Sequence, residues 1–230
     1  MLLDMQSDLE FKLKDLPEMN YTSSDKDAKG NPTPRGEIWL RGPAVFKGYY
    51  KDKEKTEETL TEDGWLRTGD IGMLVSPSNN MKIIDRVKNI FKLQQGEYVA
   101  AEKVEAIYTK SELISEVFLH GDSIQNFAVA VVTVRKPKIL ELGLQLKLEM
   151  PFEELCQRKE VRKHVCADMN KVGKEAGLMG FEQAKNVCVE EEPTFLNKGL
   201  LSNTLKMQRF AAKQLYGEEI GRMYEEGPLL

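Results

Sequence analysis

The segment GWLRTGD, at residues 64–70, carries a carboxylate that could bind a sugar. Asp70 offers two acceptor oxygens, which suit the paired hydroxyls of a ribose. Glycine and aspartate are also common turn residues, and an aspartate that follows a glycine is usually solvated. Taken alone, the segment is therefore predicted to be a turn, and the ribose-binding interpretation stays open beside it.

A second segment, IDRVKNIFKLQQGEYV at residues 84–99, combines alternating charges with one glycine. A strand with Arg86 and Lys88 at alternate positions is normally a solvated face. Asp85, Arg86 and Lys88 could instead form a charged hinge between two domains. Gly96 would let the backbone approach a ligand closely. The residues by themselves favour the solvated face.

Two further segments carry less chemistry of their own. GLLSNTLKMQR, at residues 199–209, predicts a loop that leads into a helix, in which Lys206 would ordinarily be a surface lysine. RGEIWLRGPAVFKGYY, at residues 35–50, has glycines and aromatic residues but no catalytic group. Alone, it is interpreted as structural.

The elements around these segments are predicted to be mostly strands up to about residue 85. Residues 9–15 and 36–42 alternate between apolar and polar side chains, as strands do. Residues 71–75 and 81–86 flank a Ser, Pro and Asn cluster at 76–80 and predict a hairpin. Residues 52–60 predict a short polar helix.

After Arg86 the pattern changes to a mixture of strands and helices. Helices are predicted at 101–110, from Pro137, from Val161 and at 207–216, and strands at 116–121, 127–134 and 187–192. Residues 127–134 are nearly all apolar, which predicts a central strand. The helix from Val161 has the clearest pattern, with apolar residues every three or four positions as far as Ala176. The chain is thus predicted to be α+β.

Composition excludes several functions. The 230 residues carry a net charge of −4, which argues against a nucleic-acid protein held by bulk charge. Three cysteines and two histidines show no zinc-binding spacing, so reduced intracellular thiols and no dedicated metal site are predicted. The longest apolar run, 127–132, is far shorter than the ~20 residues that span a bilayer. The first residues lack the basic and apolar pattern of a signal peptide.

In this order and spacing, the four segments resemble the adenylate-forming enzymes, and most closely the eukaryotic long-chain acyl-CoA synthetases. The resemblance runs from about residue 10 to about residue 216. It includes LPEMNY, PRGEIWLRGPAVFKGYYKDKEKTEETLTEDGWLRTGDIG, MKIIDRVKNIFKLQQGEYVAAEKVEAIY and NKGLLSNTLKMQR. Such enzymes activate a fatty acid with ATP to acyl-AMP and then pass the acyl group to CoA.

The resemblance also implies a domain organisation. Residues 1–85 would be the β-rich end of a large N-terminal AMP-binding domain, residues 86–90 a hinge, and residues 91–230 a small α+β C-terminal domain. Asp85 and Lys88 would lie at the hinge.

The resemblance further implies roles for five residues. Asp70 would hold the ribose hydroxyls of ATP and AMP, and Arg86 would contact the same nucleotide. Gly96 and Glu97 would face the active site in the thioester-forming conformation. Lys206 would assist adenylation, because carboxylate attack on the α-phosphate builds negative charge that an ammonium stabilises.

Two departures from the family pattern bear on the loop that aims Lys206. Ser202-Asn203-Thr204 stands where the family usually has Thr-Pro-Thr, and Gln208 stands where a basic residue is usual. Lys198 is an alternative candidate for the catalytic ammonium.

The sequence contains no phosphate loop ending in PKG and no YGxTE-like segment of the kind that supplies the family's magnesium ligand. We therefore expect the C-terminal part of a synthetase, inactive alone, with the Mg²⁺ ligand and the acyl tunnel elsewhere. The expected ligands are ATP or AMP, CoA and a fatty acid. The alternatives are a non-catalytic fragment that binds nucleotide or CoA or docks on a partner, and a decayed fragment.

For location, the resemblance implies an intracellular protein, with the cytosolic face of the endoplasmic reticulum or the peroxisome as the two expected places. It also allows peripheral membrane association through regions outside these residues.

Overall fold

A four-stranded antiparallel sheet, in the order β1–β2–β3–β4, forms the first part of the chain. Its strands are β1 (Glu10–Lys14), β2 (Arg35–Arg41), β3 (Leu66–Val75) and β4 (Asn80–Arg86), and helix α1 (Lys53–Thr59) lies between β2 and β3 in sequence. The computed structural model describes residues 8–27, 29–75, 80–191 and 194–230. The chain divides into two compact units, Met1–Ile90 and Phe91–Leu230.

Alternate side chains of each strand point to opposite faces of this sheet. Ile38, Ile71 and Met81 are buried. Ile38 and Met81 both lie against Gly72, whereas Ile71 pairs with Glu37 and lies on the other face. Other side chains of this unit form cation–aromatic contacts. For example, the Lys12 ammonium lies 4.0 Å from the ring centre of Trp65. Buried apolar side chains and cation–aromatic contacts therefore both stabilise this sheet.

The second unit alternates strands and helices, and the boundary between the units falls after Ile90, the first residue of β5. Its elements are β5 (Ile90–Lys92), β6 (Tyr98–Ala100), α2 (Ala101–Tyr108), β7 (Ile114–His120), β8 (Ala128–Val134), α3 (Lys136–Gln145), α4 (Phe152–Gln157), α5 (Lys159–Glu175), β9 (Ala184–Glu191), α6 (Thr194–Asn197), α7 (Arg209–Leu215) and α8 (Gly217–Glu226). Strands β5 and β6 form a two-stranded ribbon, and β7, β8 and β9 form a mixed three-stranded sheet.

Strand β8 is the centre of this mixed sheet. It pairs antiparallel with β7 and parallel with β9. All seven of its residues are buried, because its alternate side chains enter two separate apolar clusters. The predicted central strand is confirmed, and so is the predicted α+β class.

Helices cover both faces of the mixed sheet. On one face α2, α3, α4 and α5 contribute to a large cluster that includes Val104, Ile139, Leu155 and Val165. On the other face α7 contributes Ala212, α8 contributes Ile220 and Met223, and Tyr216 joins the two helices. The second unit is thus three layers, helices on sheet on helices, which buries both faces of the sheet.

Three helices of the second unit were not predicted: the short helices α4 and α6, and the last helix, α8. Helix α8 follows the predicted last helix, which itself begins at Arg209 and ends at Leu215. The apolar spacing that places α8 on the sheet consists only of Ile220 and Met223. The surrounding residues are mostly charged, and glycines at 217 and 221 disfavour a helix prediction. Helix α4 has six residues, too few for a helical period to emerge.

The boundaries of other predicted elements shift by a few residues. The helix predicted from Val161 runs over Lys159–Glu175, and Ala176 is exposed beyond its end. Strand β9 begins at Ala184 rather than at residue 187. In the predicted hairpin, β3 and β4 pair antiparallel, and its turn at residues 76–79 lies outside the described residues.

Among the described residues, no helix is both long enough and apolar enough to cross a membrane.

Candidate nucleotide-binding and catalytic residues

Asp70 and Arg86 are directly opposite each other on β3 and β4. The Arg86 Nε–H donates to Asp70 Oδ1 at 2.8 Å. A guanidinium has five N–H donors and a carboxylate has two acceptor oxygens. One bond between them therefore leaves donors for a phosphate and an acceptor for a hydroxyl in the same place.

A bulge in β3 carries Asp70 to this position. Arg67 pairs with Trp39 and Ile71 pairs with Glu37, so three residues of β3 face one residue of β2. Gly69, inside the bulge, has φ 71°, a left-handed conformation that glycine adopts without steric cost.

Side chains replace the missing ladder bonds of this bulge. The Thr68 hydroxyl donates to the Ile38 carbonyl at 2.7 Å and accepts the Asp70 N–H at 3.0 Å. The Glu37 carboxylate accepts the Gly69 N–H at 3.1 Å. The prediction of a turn at Gly69-Asp70 was wrong, because these bonds carry the strand through the two turn-forming residues.

Glu37 was not identified from sequence. Its segment had been interpreted as structural, without a catalytic group. Besides the Gly69 N–H, its carboxylate accepts the indole N–H of Trp39 at 2.9 Å. An acid two residues before a tryptophan on a strand is not in itself a signal of this role, since the Gly69 bond spans 32 residues of sequence.

The two predicted hinge residues lie where β4 ends. Asp85 is buried, and its Oδ1 accepts the Arg86 N–H at 2.7 Å. Lys88 is exposed and is the middle residue of a single 3₁₀ turn over Val87–Asn89. The Ile90 N–H closes this turn on the Val87 carbonyl. The segment is one turn long and joins β4 to β5.

Gly96 and Glu97 form the turn between β5 and β6. The Gly96 N–H donates to the Leu93 carbonyl at 2.9 Å, and the Leu93 N–H donates to the Glu97 carbonyl at 2.8 Å. Gly96 has φ 92°, and a Cβ added there would meet nothing within 4 Å. The backbone conformation, rather than crowding within this chain, therefore explains the glycine.

Lys206 lies in a short closed loop. Leu201 and Met207 form an isolated bridge at its base. The Ser202 N–H donates to the Lys206 carbonyl at 2.8 Å, and the Lys206 N–H donates to Ser202 Oγ at 3.1 Å. The Gln208 side-chain amide donates to the Leu201 carbonyl at 3.1 Å. Ser202 and Gln208, both departures from the family pattern, thus help to close the loop.

The two candidate lysines differ in their surroundings. Lys198 donates to Glu190 Oε1 at 2.8 Å and lies 4.8 Å from the ring centre of Tyr216. The Tyr216 hydroxyl donates to the same carboxylate at 2.6 Å. Lys206 is exposed, and among the described residues it forms no ion pair. An ammonium that must reach a substrate is better supplied by Lys206 than by the restrained Lys198.

Helix α7, which follows the Lys206 loop, is tied to α2 by a partly buried ion pair. Arg209 donates through Nη1 to Glu105 Oε1 at 3.0 Å and through Nη2 to Glu105 Oε2 at 2.5 Å. The Leu119 N–H donates to Glu105 Oε1 at 2.7 Å. Burial raises the pKa of Glu105, and the Arg209 guanidinium opposes that rise. The pair spans 104 residues, so no local pattern could reveal it.

Other potentially reactive groups of the second unit are unsuited to catalysis. Cys156, Cys166 and Cys188 are free thiols. Burial raises the pKa of Cys156 to about 12 and those of Cys166 and Cys188 to about 11, so thiolate chemistry near pH 7 is disfavoured. Burial also lowers the pKa of His120 to about 4, which leaves its imidazole neutral at pH 7.

Comparison with solved structures defines the class of protein. The adenylation domain of a carboxylate reductase from Mycobacterium chelonae aligns with 95% of this chain at 34% identity and a TM-score of 0.76, over 31% of that domain. The corresponding domain from Segniliparus rugosus, in complex with AMP and a co-purified carboxylic acid, aligns with 95% of this chain at 32% identity and a TM-score of 0.77, over 32% of its length. No protein-family model matches the chain. The chain is thus homologous to about a third of the adenylation domain of an adenylate-forming enzyme.

Curated relatives narrow the class to a family. The peroxisomal long chain acyl-CoA synthetase 7 of Arabidopsis thaliana is 50% identical over 220 residues, which is 94% of this chain and 30% of the relative. The long-chain-fatty-acid–CoA ligase 1 of Homo sapiens is 42% identical over 213 residues, 93% of this chain and 29% of the relative. The chain is a homologue of the long-chain acyl-CoA synthetases, corresponds to their C-terminal portion, and spans about 30% of their length. The resemblance in the sequence is confirmed.

Proposed function

We propose that this chain is part of a long-chain fatty acid–CoA ligase. In this proposal residues 1–85 are the end of the AMP-binding domain, residues 86–90 are the hinge and residues 91–230 are the small domain. The carboxylate of a fatty acid attacks the α-phosphate of ATP, which forms acyl-AMP and releases pyrophosphate. The CoA thiol then attacks the acyl carbon, which forms acyl-CoA and releases AMP.

The observation that carries the proposal is the Asp70–Arg86 pair on adjacent strands. It combines a ribose-hydroxyl acceptor with a cationic donor at 2.8 Å, and a relative of the same fold binds AMP. We assign Asp70 to the ribose hydroxyls and Arg86 to the same nucleotide. Glu37 and Thr68 hold the bulge that presents Asp70.

The second unit supplies one group to each half-reaction in this proposal. Lys206 stabilises the negative charge that builds as the fatty acid attacks the α-phosphate. The Gly96–Glu97 turn faces the active site during attack by CoA. Rotation about the hinge, which includes Asp85 and Lys88, would replace Lys206 with the Gly96–Glu97 turn in the active site.

Mg²⁺ is expected with the ATP of such a reaction, but these residues do not fit a role as its ligands. Among the described residues, no three His, Cys, Asp or Glu side chains lie close enough together to hold a metal ion. We therefore assign the metal to the part of the enzyme outside this chain and derive no step through it.

The location of the protein is also a proposal. The Arabidopsis relative is named as peroxisomal, and an intracellular protein in the peroxisome or on the cytosolic face of the endoplasmic reticulum is what we infer. Any peripheral attachment to a membrane would involve regions outside these residues.

The nucleotide assignment is tested in a hybrid enzyme. The hybrid synthetase carries these 230 residues in place of the segment of the Arabidopsis synthetase to which they align. Asp70→Ala removes charge-assisted hydrogen bonds to the ribose, each typically worth about 1.5–3 kcal/mol. We expect the KM for ATP to rise at least about tenfold, as measured by initial rates of AMP release.

The matched control is Asp25→Ala in the same unit. Asp25 also pairs with an arginine, Arg35, at 2.7 Å, and its side chain is 19% exposed, against 22% for Asp70. The control variant should keep the parent KM for ATP. An equal rise in both variants, or none in Asp70→Ala, would contradict the assignment of Asp70 to the nucleotide.

A further inference from the structure

We propose that Glu105 and Arg209 are positioning residues that fix the Lys206 loop relative to the Gly96–Glu97 turn. The inference rests on the proposed function, because it concerns how one rigid unit presents two reactive elements. It assigns a role to a pair that contacts no substrate.

The pair reaches the Lys206 loop through a short stretch of backbone. Arg209 is the first residue of α7 and lies three residues after Lys206. Between them, the Gln208 N–H donates to the Leu200 carbonyl at 2.8 Å, on the opposite side of the loop base. A displacement of Arg209 would therefore move the whole loop rather than one side chain.

Besides this pair, α7 has an ion pair between Lys213 and Asp122 at 3.5 Å and little buried apolar surface. Of its seven residues only Ala212 is buried, while Phe210 and Leu215 are exposed. The guanidinium of Arg209 bonds both oxygens of Glu105 and approaches the Leu119 carbonyl at 3.4 Å. This fork fixes both the position and the direction of the helix start.

The other partner of the pair belongs to the element that carries the second turn. Glu105 lies on α2, which follows directly from β6 and the Gly96–Glu97 turn. The same ribbon is also bonded to the connection between β7 and β8, since the Gln94 N–H donates to the Gln125 carbonyl at 2.9 Å. One ion pair thus joins α2, the helix that follows the Gly96–Glu97 turn, to α7, the helix that follows the Lys206 loop.

Stability alone does not explain such a pair. Ion pairs removed from water contribute little net stability compared with apolar side chains of the same volume. The role assigned here to the Glu105–Arg209 pair is to fix geometry. A fixed distance between the two elements would let a single rotation of the unit exchange one for the other. A loose α7 would leave Lys206 misplaced after the same rotation.

The test uses Arg209→Met in the hybrid synthetase. A displacement of about 1 Å can cost about 10²-fold in rate, so adenylation in a single turnover should fall by about that factor. The KM for ATP should stay within about threefold of the parent, because Asp70 and Arg86 are unchanged. Acyl-CoA formation from supplied acyl-AMP and CoA should also stay within about threefold. Arg209→Lys keeps the charge but loses the bidentate contact with Glu105. Its adenylation rate should lie between that of Arg209→Met and that of the parent.

Arg162→Met is the matched control for loss of a partly buried, ion-paired arginine. Arg162 donates to Glu226 at 2.6 Å in the same unit, and the side-chain exposures are 17% and 27%, against 20% and 12% for Arg209 and Glu105. A purely structural loss should lower the two half-reactions by the same factor. Equal losses in Arg209→Met, or adenylation within about threefold of the parent, would overturn the inference.

A second measurement covers the case in which Arg209→Met does not fold. In the 230-residue chain, the ¹⁵N order parameter of the Lys206 amide should fall below about 0.6 in Arg209→Lys and stay at the parent value in Arg162→Lys. An unchanged value in Arg209→Lys would overturn the inference. If Lys206→Met leaves adenylation intact, the role that the proposed function gives to Lys206 fails, and the positioning role fails with it. If Lys206→Met abolishes adenylation and Arg209→Met does not, only the positioning role fails.

Discussion

Lys206→Met in the hybrid synthetase is expected to lower adenylation about 10²–10³-fold, the usual cost of losing one preorganised contact to a developing charge. Methionine keeps most of the length of the lysine side chain and removes the ammonium. The loop should keep its shape, because the bonds of residue 206 to Ser202 involve only backbone atoms of Lys206. The loss should therefore be electrostatic rather than structural.

The second half-reaction provides an internal control for Lys206→Met. Thioester formation is proposed to use the Gly96–Glu97 turn, with Lys206 away from the acyl group. Conversion of supplied acyl-AMP and CoA to acyl-CoA should therefore keep a near-parent rate in single-turnover experiments. Adenylation within about threefold of the parent, which is under ~1 kcal/mol of barrier, would show that Lys206 is a surface lysine.

Lys198→Met is the matched control for the choice of lysine. Lys198 lies eight residues earlier and is held by Glu190. Its loss should leave the ratio of the two half-reactions unchanged. If Lys198→Met suppresses adenylation selectively and Lys206→Met does not, the catalytic ammonium belongs to Lys198.

Lys88→Pro is expected to separate the half-reactions by about 10²-fold. Proline fixes φ near −65°, and a backbone that cannot accept it costs about 3 kcal/mol, which corresponds to about 10²-fold in rate. If the backbone at Lys88 changes between two states, proline should disfavour one of them. Single-turnover rates of adenylation and of thioester formation, measured on one preparation, give the ratio.

Lys88→Ala separates the effect of the ring from that of the lost side chain. Alanine leaves φ free, and Lys88 is exposed, so both half-reactions should stay near the parent rate. Equal losses of both half-reactions in Lys88→Pro would mean that the hinge does not turn at this residue.

The sequence was most informative where local pattern and tertiary environment agree. The apolar run in β8 predicted a central strand because a strand with helices on both faces needs apolar side chains at every position. Val161, Val165 and Met169 predicted the buried face of α5 for the same reason. In these elements a residue's own neighbours in sequence decide its environment.

The sequence was less informative where a distant group decides the structure. Gly69 and Asp70 have the composition of a turn, yet they lie within β3 because Glu37, 32 residues away, accepts the Gly69 N–H. The Glu105–Arg209 pair spans 104 residues and follows no period. Such features depend on which strands and helices become neighbours, and that information is spread over the whole chain.

The Lys206 loop lies between these extremes. Its motif predicts a catalytic role for Lys206, and the departures at residues 202–204 and 208 left the geometry of the loop open. In the structure, the Ser202 hydroxyl and the Gln208 amide bond the loop's own backbone. Short-range bonds of this kind are predictable in type from the residues, but their geometry requires the folded loop.

The most direct test of the account is acyl-CoA formation by the hybrid synthetase from a long-chain fatty acid, ATP and CoA. If these 230 residues supply the nucleotide contacts, the hinge and the small domain, the hybrid should form acyl-CoA in an ATP- and CoA-dependent reaction. Its kcat should lie within about tenfold of that of the Arabidopsis parent, a loss of under about 1.4 kcal/mol in barrier. A folded hybrid that forms no acyl-CoA above a no-enzyme control, while the parent does, would contradict the account.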